Sequence, residues 1–281
     1  MVRILSDSST LLSIEDAHKH NLDVIPLSIT INGETYKENE EITTGKLVEI
    51  INEGHMPMSS QPAIGEVIDT YNKYKNDEII NITMADGLSG TYNSACMAKN
   101  MDDNSDRIEV VNSKTLCGPH RYLSLIAASL ANEGKSKSEI IDILNDLIDT
   151  SISFLIPKDL DYLVRGGRLS KTAGKLGGLM KVVPVMQLEE DGKSLKKYTV
   201  CRTFNKAIAR ICDYYLSNGI DENYMIYVTH ACNIEMAQNA KDVINSKIEG
   251  ADVEIMELSP VFTTHGGPGC IAVQTIKKYI S

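Results

Sequence analysis

Residues 78–112 read EIINITMADGLSGTYNSACMAKNMDDNSDRIEVVN, and this stretch decides the fold. Glu78–Thr83 is a β-branched run of strand length, and Gly87-Leu88-Ser89-Gly90 is a turn. Thr91–Asn100 then reads as a helix and Arg107–Asn112 as a second strand. Strands separated by a helix of this length point to a parallel sheet, because parallel neighbours need a crossover connection.

Toward the N-terminus the pattern continues. Val2–Ser6 reads as a strand ending at Asp7-Ser8-Ser9, and Ile14–His20 as a short helix. Val24–Ile31 is strand-like and runs into Asn32-Gly33, a favoured hairpin turn, with Glu34-Thr35-Tyr36 returning. Thr44 is placed to cap a helix Gly45–Asn52, whose Leu47, Val48, Ile50 and Ile51 make an apolar face. An extended loop, Ser59-Ser60-Gln61-Pro62, precedes a helix from Ile64 to Lys75.

Toward the C-terminus, helices are expected at Tyr122–Asn132 and Ser138–Thr150 and a short strand at Ser153–Pro157. Asp161–Gly178 is basic and glycine-rich, and Val182–Leu188 and Leu195–Arg202 form a hairpin about Glu189–Ser194. Helix Lys206–Ser217, strand Tyr224–Thr229, helix Glu235–Asn245, strand Asp252–Leu258, the loop His265-Gly266-Gly267-Pro268-Gly269 and a last helix follow. The expectation is a two-domain α/β protein. Residues 1–155 carry a mainly parallel sheet with helices on both faces, and residues 156–281 form a smaller mixed α/β domain.

Composition narrows the function. The chain has 281 residues, 42% hydrophobic and 23% charged, as ordinary soluble domains do. Its net charge of −10 argues against a broad nucleic-acid surface, which needs clustered Lys and Arg. No apolar run approaches bilayer length, and Asp7 comes too early for a secretory signal, so a cytoplasmic protein is expected. The six cysteines, at 96, 117, 201, 212, 232 and 270, lack the close pairing of a zinc site and read as free thiols. Neither a metal nor a cofactor is expected.

Ligands of open α/β sheets sit beyond the carboxyl ends of the strands. Asp7-Ser8-Ser9, Ser59-Ser60-Gln61-Pro62, Gly87–Thr91 and Asn112-Ser113-Lys114 all fall at or near such ends. In Gly87–Thr91, Ser89 stands at a helix N-terminus, where unpaired amides and the helix dipole favour an anion. A plain N-cap is the simpler role for it; a second hydroxyl from Ser59 or Ser60 would make an anion cradle. His265 lies in a polar, glycine-rich setting that suits either a structural role or a contact with an anion. The cluster Arg165-Gly166-Gly167-Arg168-Leu169-Ser170-Lys171 reads as a solvated basic loop, a lid over an anionic ligand or a docking surface. A serine hydrolase is the enzymatic alternative, with Ser89 as nucleophile, His265 as base and Asp161 as orienter. However, Gly87–Thr91 misses the G-x-S-x-G elbow by its last glycine. The glycine-rich turns match neither nucleotide fingerprint.

Six segments taken in order resemble the DegV family of fatty-acid-binding proteins over about residues 3–280. They are Asp7-Ser8-Ser9-Thr10, Ser59-Ser60-Gln61-Pro62, Leu88–Ala95, Asn112-Ser113-Lys114, Asp161–Lys171 and Thr264–Gly269. The resemblance implies two α/β domains with one long-chain fatty acid, such as palmitate or oleate, between them. It implies a carboxylate held by Ser59, Ser89 and His265, no stable membrane insertion, and in some members presentation of the acyl chain to a fatty-acid kinase that forms acyl phosphate. Arg202 matches the position linked to kinase docking. Ser59 replaces the family's usual Thr, and Asn112 its usual Asp. The expected tunnel wall is Phe154, Leu160, Leu163, Leu176, Leu179, Met180 and Val183.

Overall fold

The structure, a computed structural model, describes residues 1–169 and 182–280. In chain order the first strands are β1 (Val2–Asp7), β2 (Leu22–Ile25), β3 (Ser28–Ile31), β4 (Glu34–Lys37), β5 (Met58–Ser60), β6 (Glu78–Thr83) and β7 (Ile108–Asn112). They are followed by β8 (Ile152–Ile156), β9 (Val183–Leu188), β10 (Leu195–Cys201), β11 (Tyr224–His230), β12 (Asp252–Glu257) and β13 (Ile271–Lys277). The helices are α1 (Ile14–Lys19), α2 (Thr44–Asn52), α3 (Ile64–Lys73), α4 (Thr91–Asn100) and α5 (Cys117–Asn132). After these come α6 (Lys137–Ile148), α7 (Asp161–Gly166), α8 (Phe204–Ser217), α9 (Ile234–Lys247) and α10 (Pro260–Gly266).

The first sheet, β2-β1-β6-β7, is parallel throughout. Alternation along its strands sends Leu5, Ile79 and Val110 into a core with α3 and α4, and Ile4, Ile80 and Val111 into one with α5 and α6. The second sheet, β10-β9-β8-β13-β11-β12, is mixed, and α8 and α9 cover one of its faces. Tyr227, Met256 and Ile276 on its other face join the core of α5 and α6, so those helices lie between the sheets. Gly118 lets α5 approach closely, since a Cβ there would sit 2.1 Å from the Tyr227 ring. A three-stranded antiparallel sheet, β4-β3-β5, completes the first half.

The α/β architecture stands as expected, with three local differences. Val24–Ile31 is two strands, because Pro26 has no N–H to give a ladder and Leu27 bonds elsewhere, to Ser8 Oγ and the Glu38 amide. Ser59-Ser60 is the end of β5, paired with β3. The last element is a strand, β13, rather than a helix. It runs down the middle of the second sheet, buried on both faces, so its apolar run carries no alternation to announce it. The helix lies earlier, in α10, begun by Pro260 and ending where His265-Gly266 was read as loop.

A buried carboxylate joins the halves. Glu38, 1% exposed, takes a hydrogen bond from Ser8 Oγ at 2.5 Å and another from the Val261 amide in the first turn of α10 at 3.0 Å. Burial pushes its pKa up from 4.5 to about 7, and the Asp7 charge adds to this against the opposing hydrogen bonds. The native state thus holds a proton that the unfolded chain releases. That contribution is full below pH 4.5 and is lost as pH rises through about 7. Glu38→Gln keeps the neutral form at every pH. Urea titrations from pH 5 to pH 8 are expected to show the variant gaining on wild type by up to ~3 kcal/mol as pH rises.

Candidate functional site

Between the loops that follow β2, β6 and β7 and the second sheet lies a cavity of about 360 Å³. Its wall is mainly apolar, with Leu27, Met84, Leu116, Leu155, Leu188 and Phe262 among its residues. Ser59, Gln61, Ser89, Arg168 and His265 are polar members of the same wall. An apolar pocket with a few convergent polar groups is the usual form of a small-molecule site.

The polar residues come from four distant segments and touch one another in a chain. Ser59 is set on β5 opposite Ile29 of β3, and its Oγ meets His265 Nε2 at 2.7 Å. On its other side the His265 ring lies against Gly166, where a Cβ would stand 2.5 Å from Nδ1. Gly166 O accepts a hydrogen bond from the Arg168 guanidinium, whose Nε also donates to Leu88 O at 3.1 Å. Leu88 leads into Ser89, whose Oγ accepts from the Thr91 amide at 3.3 Å and shares a hydrogen bond with Thr91 Oγ1 at 2.8 Å. Ser89 therefore both ties down the start of α4 and lines the cavity. Gly90 admits Gln61, whose Oε1 lies 1.9 Å from where a Cβ would be.

The site is electrostatically simple. Burial, aided by the Arg168 charge, pushes the His265 pKa down from 6.5 to about 4, so the imidazole is neutral at pH 7. Nδ1 is buried with no hydrogen-bond partner among the described residues. With the proton on Nε2, the ring can donate to Ser59 Oγ or to an incoming anion, and Ser59 keeps its own hydroxyl hydrogen for a ligand. Arg168 is half-buried, burial lowers its pKa, and among the described residues it meets carbonyl oxygens and no carboxylate.

Of the residues singled out in the sequence, Ser59, Ser89 and His265 line one cavity. Asp161 is exposed at the start of α7 and does not reach His265 Nδ1, and Ser89 Oγ engages Thr91. The serine, histidine and aspartate of the hydrolase alternative thus form no relay. Arg202 is exposed just beyond β10, away from the cavity wall. Leu163 lines the cavity; Phe154 borders it, but its ring packs with Tyr198, Tyr214 and Tyr215 in the core under α8, where Val183 also lies, and Leu160 packs in the adjoining cluster. Leu176, Leu179 and Met180 lie outside the described residues. Sequence reasoning placed Arg168 only within a basic cluster and missed Glu38 and Gly166. The Gly166-Gly167 pair beside an arginine was the available signal.

Residues 1–278 match the DegV family, described as uncharacterised proteins of that name. The chain belongs to the DegV family. A DegV domain-containing protein of Staphylococcus aureus is 36% identical over 98% of each chain. The solved structure of DegV from Bacillus subtilis, described as a fatty acid binding protein, superposes with a TM-score of 0.86 at 29% identity over 99% of each chain. A DegV family protein from Thermus thermophilus shares the fold at a TM-score of 0.89 and 23% identity over 99% of each chain. Among the described residues, no three His, Cys, Asp or Glu side chains gather as a metal site, and no helix is long and apolar enough to cross a membrane.

Gly166 gives this DegV site a direct test. Gly166→Ala is expected to set a Cβ against Nδ1, displace the His265 ring from its buried position and disturb its hydrogen bond with Ser59. The ring pKa should then rise from about 4 toward 6.5. An NMR titration of the His265 ring in both proteins measures the difference.

Proposed function

We propose that this protein binds one long-chain fatty acid in the cavity between its halves, with the carboxylate held by Ser59, Ser89 and His265. The observation that carries the reading is the wall itself, an apolar cavity whose hydroxyls, neutral imidazole and arginine are linked by short contacts. The 29% identical Bacillus subtilis protein, described as fatty acid binding, supports it. Arg168 supplies positive potential beside the head group, and among the described residues it bonds to carbonyl oxygens and to no carboxylate.

Magnitudes assign the roles. At ~0.8 kcal/mol per buried CH₂, a sixteen-carbon tail offers about 11 kcal/mol before ordering costs are subtracted. Each neutral hydroxyl bond adds about 1 kcal/mol, so the tail gives affinity and the head group gives direction and register. The contacts favour a binding protein over a hydrolase, since Ser89 Oγ is turned to Thr91 and His265 to Ser59. Presentation of the bound acid to a fatty-acid kinase is the partner reading, with exposed Arg202 as the docking residue.

Native mass spectrometry of purified protein is expected to find one fatty acid per chain. Protein that is empty, and stays empty when offered palmitate or oleate, overturns the reading. Ser59→Ala with Ser89→Ala should weaken binding by about tenfold to a hundredfold without abolishing it. Arg202→Ala should leave binding intact and lower acyl phosphate formation when a fatty-acid kinase and ATP are supplied.

A further inference from the structure

One part of the cavity wall breaks its apolar character. On the cavity side of the second sheet, Leu155 of β8 stands opposite Ala272 of β13, and two residues along Ser153 stands opposite Gln274. Their neighbours Phe154 and Val273 belong to the core on the opposite face of the sheet. Both polar residues are buried, Ser153 at 7% exposure and Gln274 at 1%.

The hydrogen bonding fixes how the Gln274 amide points. Its Nε2 donates to Leu116 O at 2.9 Å, and a carbonyl oxygen can only accept, so the amide cannot be turned over. The second amide hydrogen goes to Ser153 Oγ at 3.0 Å. Gln274 Oε1 is then left buried with no partner among the described residues. Ser153 Oγ receives the amide hydrogen, and among the described residues its own hydroxyl hydrogen has no acceptor. The pair therefore retains one donor and one acceptor, adjacent to each other. Buried polar groups are rarely left in this condition.

The position is set apart from the head group. Gly266, next to His265, lies against Cys270, and β13 leads away from that point. Gln274 is three residues beyond Ile271, about 10 Å at strand rise. A hydrocarbon chain passing here satisfies neither group. A hydroxyl satisfies both, because it gives one hydrogen and accepts another.

We propose that Ser153 and Gln274 form a second subsite for a hydroxyl on the acyl chain, which fits the cavity to mid-chain hydroxy fatty acids. The inference rests on the fatty-acid reading above. An apolar wall would penalise an added hydroxyl by about a hundredfold, whereas a paired one escapes most of that loss.

The test titrates the full delipidated chain with stearate, 10-hydroxystearate and 12-hydroxystearate. Wild type is expected to bind the better hydroxy acid within about threefold of stearate. Ser153→Ala is expected to weaken hydroxy acid binding by about tenfold while leaving stearate within about threefold, and Gln274→Leu to act in the same direction. Because Gln274 also ties down Leu116, Ser153→Ala is the deciding variant. A penalty near a hundredfold on both hydroxy acids in wild type overturns the proposal. So does an equal change for stearate and hydroxy acid in Ser153→Ala, as a structural pair holding only water would give. Failure of stearate itself to bind would instead refute the underlying fatty-acid reading.

Discussion

The hydrogen bond between Ser59 Oγ and His265 Nε2 joins residues 206 positions apart, and much of the molecule is arranged so that it can form. Ser59 is held by pairing of β5 with β3. His265 is held by α10, whose first turn is bonded through the Val261 amide to Glu38, and whose approach is fixed by Thr44 Oγ1 donating to Leu258 O at 2.6 Å. The ring also needs a neighbour without a side chain, which Gly166 provides. Removing any of these supports moves one partner, and a hydrogen bond weakens steeply with distance and angle.

The same interlock keeps a buried carboxyl off the cavity wall. Glu38 carries the buried carboxyl that joins the halves, yet its oxygens are met by Ser8 and Val261 and it lies outside the cavity lining. Across the molecule, the turn between β9 and β10 closes on the first half. The Lys193 ammonium pairs with Asp86, and its backbone lies 2.1 Å from where a Gly87 Cβ would be. Gly192, at φ +71°, also lies close to the Lys114 backbone, whose carbonyl oxygen would be 2.8 Å from a Cβ there. Only glycine allows backbones to meet so closely, so two glycines far apart in sequence set how the hairpin covers the loops of the first half.

The alternation of strands and helices from Glu78 to Asn112 was legible because β-branched runs and a glycine turn are local signals. So was the placing of Ser59 and Ser89 at the ends of strands. Two of the misread segments failed for a shared reason. Ile271–Lys277 is buried on both faces, and α10 is a short helix buried along nearly all its length, so neither has an exposed side to set a period. Glu38 was illegible for a different reason. An acidic residue among Lys37, Asn39, Glu40 and Glu41 looks like solvent-facing surface, and only tertiary contacts with Ser8 and Val261 give it a buried role. Gln274 likewise reads as one polar interruption of an apolar run until its partners Leu116 and Ser153 are seen.

Charge then decides how an anionic ligand could be accommodated. At a net charge of −10 the chain repels a carboxylate at long range, so its overall field does not steer the proposed ligand inward. Attraction has to be local, and local attraction is strong only where water is excluded. Arg168 meets that condition, being half-buried at the cavity wall and bonded to neutral carbonyl oxygens. A carboxylate partner for Arg168 within the protein would cancel its field before a ligand arrived. His265 complements it by staying neutral, since a second buried cation beside Arg168 would add repulsion where only one negative charge is to be met. One arginine, one neutral histidine and two hydroxyls thus balance a single carboxylate, and the rest of the wall is left to the chain.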